Sequence, residues 1–286
     1  MPNTSAGINV TNSASNITIG GTASGAGNLI SGNNGSGIII DGATHSIEGN
    51  TIGADISGTA ALANTNSGIW TGSGISIGGT ALGSGNLIAF NAQHGVRVGG
   101  TSNAIRANTI HSNSALGIAL SLSGVTPNDP DDADTGNNEL QNYPVLTGAF
   151  TGSIRLVGSL DSTPSTSFDL DFYANSACDA SGFGEGETYL GSTNVTTDAN
   201  GDVSFDVTLP NNVAIGDYVT ATATDPSGNT SEFSQCVQAA ESGIDVSMPD
   251  VQSTGRSSPI SKTAARSTPI RSPWLPTTMC WSAPGI

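Results

Sequence analysis

The chain has 286 residues, room for two ordinary domains, and its 10% of charged residues is too low for a helical protein. Its 38 glycines, with abundant Asn, Ser and Thr, are typical of short strands joined by tight turns, so we predict an all-β fold. Residues 1–240 carry 20 acidic side chains against only Arg97, Arg106 and Arg155, and this negative charge argues against nucleic acid as a partner.

The N-terminal segment MPNTSAGINV has neither the basic nor the apolar region of a signal peptide. No apolar run in the chain is long enough to span a membrane. We therefore expect a piece of a larger protein, with further domains upstream and downstream.

A repeat with an offset of 58 residues dominates the first half of the chain. Residues 19–30 (IGGTASGAGNLI) recur at 77–88 (IGGTALGSGNLI), and residues 47–52 (IEGNTI) recur at 105–110 (IRANTI). All four segments share an Asn-x-Ile unit, at steps of 22, 36 and 22 residues, with the asparagines Asn28, Asn50, Asn86 and Asn108. The long step is one 22-residue period plus 14 residues, which we assign to a loop at 53–66 that protrudes from one coil.

Two further aliphatic pieces accompany the Asn-x-Ile unit. One begins with a glycine followed by Ile or Val, at Gly7, Gly37, Gly68, Gly95 and Gly117. Three short strands per period, separated by Gly and Asn, are typical of a coil of a parallel β-helix. We predict a right-handed parallel β-helix over residues 1–123, with about 22 residues per coil and four to five coils.

Equivalent residues of successive coils should lie over one another, since coils stack at about 4.8 Å. Two interior walls are then predicted: Ile30, Ile52, Ile88 and Ile110 on one, and Ile38/Ile40, Ile69, Val96/Val98 and Ile118/Leu120 on the other. The four repeat asparagines should occupy a turn, where Asn tolerates left-handed dihedrals and stacked amides form a ladder of hydrogen bonds.

Residues 124–142 interrupt the repeat with prolines and an acidic cluster, and we assign them to a linker that caps the last coil. Asp129, Asp131, Asp132 and Asp134 place several hard oxygen donors on one short loop, which is the environment that Ca²⁺ prefers. The spacing is not that of an EF-hand. The alternative is a solvated capping segment that binds no metal.

Residues 143–240 alternate like antiparallel strands, predicted at 154–160, 168–174, 188–196, 203–209, 218–224 and 232–237. This pattern predicts an Ig-like or fibronectin-like β-sandwich. Cys178 and Cys236 both lie in this region and form a disulfide if the compartment is oxidising; the alternative is two buried thiols. Residues 241–286 are rich in Pro and basic residues, and we predict a disordered tail that a frameshift could have produced.

One outward-facing row is of functional interest. If Ile38 and Ile40 point inward, then Ile39, Trp70, Arg97 and Ala119 point outward in successive coils. An aromatic ring between an Ile and an Arg predicts a glycan-binding surface formed by Ile39, Trp70 and Arg97, with a cation–π contact between the last two. The alternative is that the 53–66 loop or the sandwich covers Trp70.

Catalytic residues are harder to assign. The helix region contains only Asp41, Glu48 and Asp55 as acids and no lysine, and these acids are placed on different walls. A glycosidase needs a carboxylate pair about 5–10 Å apart. We therefore assign no catalytic residue and no required cofactor, apart from the Ca²⁺ considered above.

The repeats, the segment GVTPND…DADTGNNELQNYPV at 124–145 and the segment TATDPSGNTSEFS at 222–234 resemble large bacterial surface or secreted proteins with right-handed β-helix repeats. The resemblance covers about residues 5–240. It implies the pectin-lyase-like fold and an extracellular or cell-surface location, but that fold hosts lyases, glycosidases, adhesins and tailspikes. We expect a non-catalytic structural or adhesive module that contacts glycans or a host matrix; the alternative is a polysaccharide lyase or glycoside hydrolase.

Overall fold

A computed structural model describes residues 3–11, 13–42, 44–122 and 124–241. The predicted disorder of the tail falls outside these residues, apart from residue 241. Helical residues in the described ranges are limited to two 3₁₀ turns, Pro130–Asp132 and Asn137–Leu140, so the all-β prediction is confirmed. Within the same ranges, we find no helix with the length and apolarity needed to cross a membrane.

Three parallel sheets make up the first half of the structure. Sheet 1 contains, in order, β1 (Ile8–Val10), β4 (Ile38–Ile40), β7 (Ile69–Thr71), β10 (Val96–Val98) and β13 (Ile118–Ala119). Sheet 2 contains β2 (Thr18–Gly20), β5 (His45–Glu48), β8 (Ile75–Gly78) and β11 (Ala104–Arg106). Sheet 3 contains β3 (Leu29–Ile30), β6 (Thr51–Ile52), β9 (Leu87–Ala89) and β12 (Thr109–His111). The chain visits sheets 1, 2 and 3 in turn and then returns to sheet 1, so each coil adds one strand to every sheet.

The interior rows follow the predicted register. In sheet 3, Ile30, Ile52, Ile88 and Ile110 are aligned partners in successive strands. In sheet 1, Ile38, Ile69, Val96 and Ile118 are aligned in the same way. All eight side chains are buried in one apolar cluster, which explains why β-branched residues recur with the coil period.

Glycine is required where two coils approach each other at a turn. Gly20 has a φ of +88°, and a Cβ there would lie 2.0 Å from the carbonyl oxygen of Glu48 in the next coil. Gly78, its counterpart in the repeat, has a φ of +75° and would bring a Cβ within 2.3 Å of the carbonyl oxygen of Arg106. Any side chain would therefore clash with backbone as well as strain the turn.

The inserted residues between β6 and β7 form a small excursion from the coil. Ala54 and Ala61 form an antiparallel bridge that closes it, and Asp55 accepts hydrogen bonds from Ser57, Thr59 and Ala60 at its tip. The predicted loop is thus present, and its last residues rejoin the coil.

Two antiparallel sheets make up the second half. Sheet 4 contains, in order, β14 (Val145–Phe150), β15 (Arg155–Asp161) and β18 (Asp202–Thr208). Sheet 5 contains β17 (Thr188–Thr196), β16 (Ser167–Asn175), β19 (Tyr218–Thr224) and β20 (Val237–Gln238). Their buried faces share a second apolar cluster that includes Phe168, Phe172 and Phe205.

Five of the predicted strands are found within two residues of their predicted ends. The strand predicted at 232–237 is wrong, because only Val237–Gln238 form a strand there. Residues 231–234 are all buried and do not alternate, since they fill the space between the antiparallel and the parallel sheets. Strand β14 was not among the predictions.

The second half closes the end of the parallel sheets. Tyr173 and Phe233 belong to the apolar cluster inside the coils, and Gly186 exchanges two backbone hydrogen bonds of 2.7 Å with Ile110 on the edge strand β12. Arg106 at the end of β11 pairs with Asp169 and with Asp171, which is fully buried. Both halves therefore belong to one compact unit.

Candidate functional site: the Trp70 surface

The outward row of sheet 1 places Trp70 at its centre. Asn9, Ile39, Trp70, Arg97 and Ala119 are aligned partners in β1, β4, β7, β10 and β13. Trp70 remains 40% exposed, so neither the 53–66 loop nor the antiparallel sheets cover it. The Cζ atom of Arg97 lies 5.4 Å from the centroid of the Trp70 ring, and the predicted cation–π contact is present. Ala119 is buried, so the exposed row ends at Arg97.

Three adjoining cavities surround the indole. One of about 180 Å³ lies between Trp70 and Asp41, with Ser73 and Gly99 in its wall. A second, of about 280 Å³, extends from Trp70 and Ile39 to Asn66 and Gln93. A third, also of about 280 Å³, extends from Trp70 and Arg97 to Leu122 and Asn137. We call Ile39, Trp70 and Arg97 with the walls of these cavities the Trp70 surface.

This arrangement can hold a flat ring against the indole and offer hydrogen bonds on both sides of it. Aromatic faces flanked by a few polar groups are the usual construction of sites for small polar ligands. The amides of Asn66 and Gln93, which sequence reasoning had not associated with Trp70, are joined by a hydrogen bond of 3.4 Å. Each ends up beside Trp70 because it lies near sheet 1 in its own coil.

The helix-region acids do not form a catalytic pair. Asp41 follows β4 of sheet 1, Glu48 lies in β5 of sheet 2, and Asp55 lies in the excursion after β6 of sheet 3. The hydroxyl of Ser57 and nearby backbone N–H groups lower the pKa of Asp55. Among the described residues, the one cluster of at least three carboxylate, His or Cys side chains with metal-binding spacing lies elsewhere.

The histidines are also unsuited to acid–base chemistry at this surface. His45 is buried, and its Nδ1 accepts a hydrogen bond of 3.0 Å from the backbone N–H of Ile17. Burial lowers the pKa of His111, which contacts the edge of Phe90 on sheet 3.

The repeat asparagines form the ladder that the sequence predicts. The side-chain amide nitrogens of Asn28, Asn50 and Asn86 donate to the Oδ1 of the next asparagine at 2.9, 3.0 and 2.8 Å, ending at Asn108. Each Oδ1 also accepts the backbone N–H of the preceding ladder residue. The ladder therefore fixes one turn of every coil.

A second ladder was missed in the sequence. It runs through Asn3, Asn33, Asn64, Asn91 and Asn113. Asn33 and Asn91 have the 58-residue offset of the repeat, and this signal could have revealed it. The carboxylate of Glu185 accepts the N–H of Asn113 at the end of the ladder, in the place of a further asparagine.

The acidic segment brings together three of its four predicted ligands. Oxygens of Asp129, Asp132 and Asp134 lie within 4.8 Å of one another. The Oδ1 atoms of Asp129 and Asp134 are buried and have no hydrogen-bond partner. Burial, with the like charges of Asp129 and Asp134, raises the pKa of Asp132 to about 6, although hydrogen bonds from Ser162 and Asn142 oppose the shift. Asp131 stands apart: it is exposed, and its N–H bonds to Asp161.

The predicted cysteine pair is joined. Cys178 and Cys236 form a disulfide with an S–S distance of 2.02 Å, linking the loop between β16 and β17 to the residues before β20. The same loop carries Glu185 and Gly186, which contact the last coil. Cys280 lies outside the described residues.

The fold and this surface define an all-β protein of coiled parallel sheets closed at one end by antiparallel sheets. No known family matches the chain, and no curated protein matches it.

Proposed function

We propose that this protein is a non-catalytic, glycan-binding structural or adhesive module of a bacterial cell-surface or secreted protein. In this proposal, the parallel part is a right-handed β-helix and the antiparallel part an Ig-like sandwich that serves as a spacer. The register of sheets 1 to 3 supports the first assignment, and the two-sheet packing of residues 143–240 supports the second.

The observation that carries the proposal is the exposed Trp70. A tryptophan costs solvation free energy at the surface, and most of the apolar side chains of sheet 1 are buried. A solvent-exposed indole flanked by cavities with amide, hydroxyl and guanidinium groups suits a sugar ring, which has an apolar face and polar edges.

The rest of the molecule supports a scaffold role. Two asparagine ladders and the aligned aliphatic rows make each coil depend on its neighbours, which is the basis of a stiff, elongated repeat. The disulfide agrees with an oxidising compartment, as expected of a secreted or surface-exposed protein. Because the acids of the coil region lie on three different sheets, we propose binding without turnover.

A glycan array with the full chain, followed by titration of positive glycans, tests this function. Trp70→Ala should abolish binding without changing the melting curve, and Trp70→Phe should retain part of it because an aromatic face remains. Leu82→Ala is the matched control, since Leu82 is an exposed apolar residue away from the surface. Equal binding by wild type and Trp70→Ala would refute the proposal, as would binding to no glycan.

A second proposal concerns the acidic segment, where Asp129, Asp132 and Asp134 would bind Ca²⁺. The observation that favours it is the pair of buried, unpartnered Oδ1 atoms of Asp129 and Asp134, which a divalent cation would satisfy. The segment contacts β15, because Ser162 donates to Asp132 and the N–H of Asp131 bonds to Asp161. A bound cation would therefore tie the end of the coils to sheet 4.

Thermal melts in Ca²⁺ and in EDTA test this second proposal. At a Ca²⁺ concentration about 100 times the dissociation constant, the stabilisation is about 2.7 kcal/mol. For a domain of this size that corresponds to roughly 5–10 °C in Tm. Asp129→Asn and Asp134→Asn should remove the shift, whereas Asp131→Asn should keep it. Identical Ca²⁺ responses in all three variants would exclude this cluster as the site.

A further inference from the structure

The charge around Trp70 narrows the class of ligand. The described chain carries three arginines among 20 acidic residues of the first 240, so an arginine without a carboxylate is unexpected. Arg155 pairs with Asp206, and Arg106 pairs with Asp169 and Asp171. Arg97 has no ion pair within the described residues and lies instead over the indole of Trp70.

The cavities that reach Arg97 contain no acid. The one on the side of Ile39 is lined by Ser36, Asn66, Ser67 and Gln93, and the one on the far side by Ala119, Leu122 and Asn137. Asp41 lies only in the third cavity, which Arg97 does not line. The Trp70 surface is therefore polarised, with a cation and neutral hydrogen-bonding groups on one side of the ring and a carboxylate on the other.

A neighbouring side chain feels the same positive charge. The pKa of His94 is lowered, first by its burial and then by the charge of Arg97. The guanidinium is consequently a local source of positive potential in a protein whose total charge is strongly negative. Such a group matches a carboxylate, because its planar donors can form two parallel N–H···O bonds.

From this geometry we propose that the Trp70 surface selects a glycan with a carboxylate, whose sugar ring stacks on Trp70 and whose carboxylate pairs with Arg97. The inference rests on the proposed glycan-binding function and adds the chemical class of the ligand. Asn66 and Gln93 then hydrogen-bond the neighbouring hydroxyls of the sugar. Asp41 disfavours a second negative group at the opposite side of the ring.

The experiment compares two ligands that differ only in this charge. A tetrasaccharide of alternating glucuronate and N-acetylglucosamine and its carboxyl-reduced, neutral counterpart are titrated against the full chain. The salt concentration is 0.15 M, where long-range repulsion from the acidic protein is screened beyond about 8 Å. We expect the acidic form to bind about tenfold more tightly, which corresponds to about 1.4 kcal/mol.

The variants separate the contact from general charge effects. Arg97→Gln should remove the preference, and Arg97→Lys should keep part of it, since the charge remains without the planar fork. Arg155→Gln is the matched control: it removes the same charge from another cation–π pair, Arg155 over Phe150, far along the chain. This control should keep the full tenfold preference, and the unaltered melting curve of each variant shows that it is folded.

Three results are decisive. A preference that Arg97→Gln removes and Arg155→Gln preserves supports the inference. Equal binding of the two ligands by wild type, with binding lost in Trp70→Ala, overturns the carboxylate class and leaves the glycan-binding function standing. Failure of both ligands, and of every glycan on the array, overturns the proposed function and this inference with it.

Discussion

The substitution Asn86→Ala tests how much the asparagine ladder stabilises the coils. Asn86 is buried, and its Oδ1 accepts both the backbone N–H and the side-chain amide of Asn50, at 2.9 and 3.0 Å. Its amide nitrogen donates to the carbonyl oxygen of Ile47 and to Oδ1 of Asn108, both at 2.8 Å. Alanine removes all four of these hydrogen bonds.

The magnitude follows from which groups keep a partner. The side-chain amide of Asn50 still donates to the carbonyl oxygens of Ile19 and Glu48, and Oδ1 of Asn108 still accepts the backbone N–H of residue 86. The backbone N–H of Asn50 loses its acceptor in a buried turn, which costs about 1–3 kcal/mol, and the remaining lost bonds add about 1 kcal/mol. We expect the free energy of unfolding to fall by about 3 kcal/mol, or roughly 6–12 °C in Tm.

Asn28→Ala is the matched control at the exposed end of the same ladder. Its side chain makes one printed bond of this kind, from the amide nitrogen to Oδ1 of Asn50 at 2.9 Å, and its backbone N–H keeps the same acceptor after substitution. The expected cost is at most about 1 kcal/mol. Urea titration followed by circular dichroism gives both values. If Asn86→Ala were no more destabilising than Asn28→Ala, the claim that buried ladder bonds hold the coils together would be refuted.

Two further predictions concern buried polar groups. Thr71 lies in an interior row between Ile40 and Val98, and its buried hydroxyl has no partner among the described residues, so Thr71→Val should raise the free energy of unfolding by about 1 kcal/mol; a lower Tm for the variant would count against this. Glu232 is buried and accepts the N–H groups of Leu120 and Thr126, and burial nevertheless raises its pKa above the ordinary value of 4.5. Its contribution to stability is therefore full below pH 4.5 and is lost as the pH rises through the raised pKa, so wild type should lose stability relative to Glu232→Gln between pH 4 and 8. Urea midpoints measured across that range check the sign, and a wild type that gained on the variant would contradict it.

The repeat made the parallel part predictable because it acts locally and identically in each coil. Residues one coil apart become aligned partners, so equal spacing is enough to assign Ile30, Ile52 and Ile88 to one row and Asn28 and Asn50 to one ladder. The outward position of Trp70 and its contact with Arg97 follow from the same alternation. The second ladder escaped because its members stand 31, 27 and 22 residues apart, as loops of unequal length intervene.

The strand predicted at 232–237 shows where local pattern misleads. Phe233 enters the apolar cluster of the coils, whereas Glu232 beside it accepts N–H groups near the end of β13. Ser231 and Ser234 accept the backbone N–H groups of Ala223 and Ala221 on β19. Four successive residues are buried because each faces a different neighbour, and no periodicity in the sequence encodes that.

The sequence by itself determined the all-β class, the coil period, the interior rows and the outward Trp70, because these depend on spacing within one repeating unit. The tertiary structure alone decided what closes the last coil and what surrounds the indole. Arg106 meets Asp171 across 65 residues, and Glu185 meets Asn113 across 72. Such contacts are set by how two sheets with unrelated sequences pack together, and this packing also leaves Arg97 without a carboxylate in the described chain.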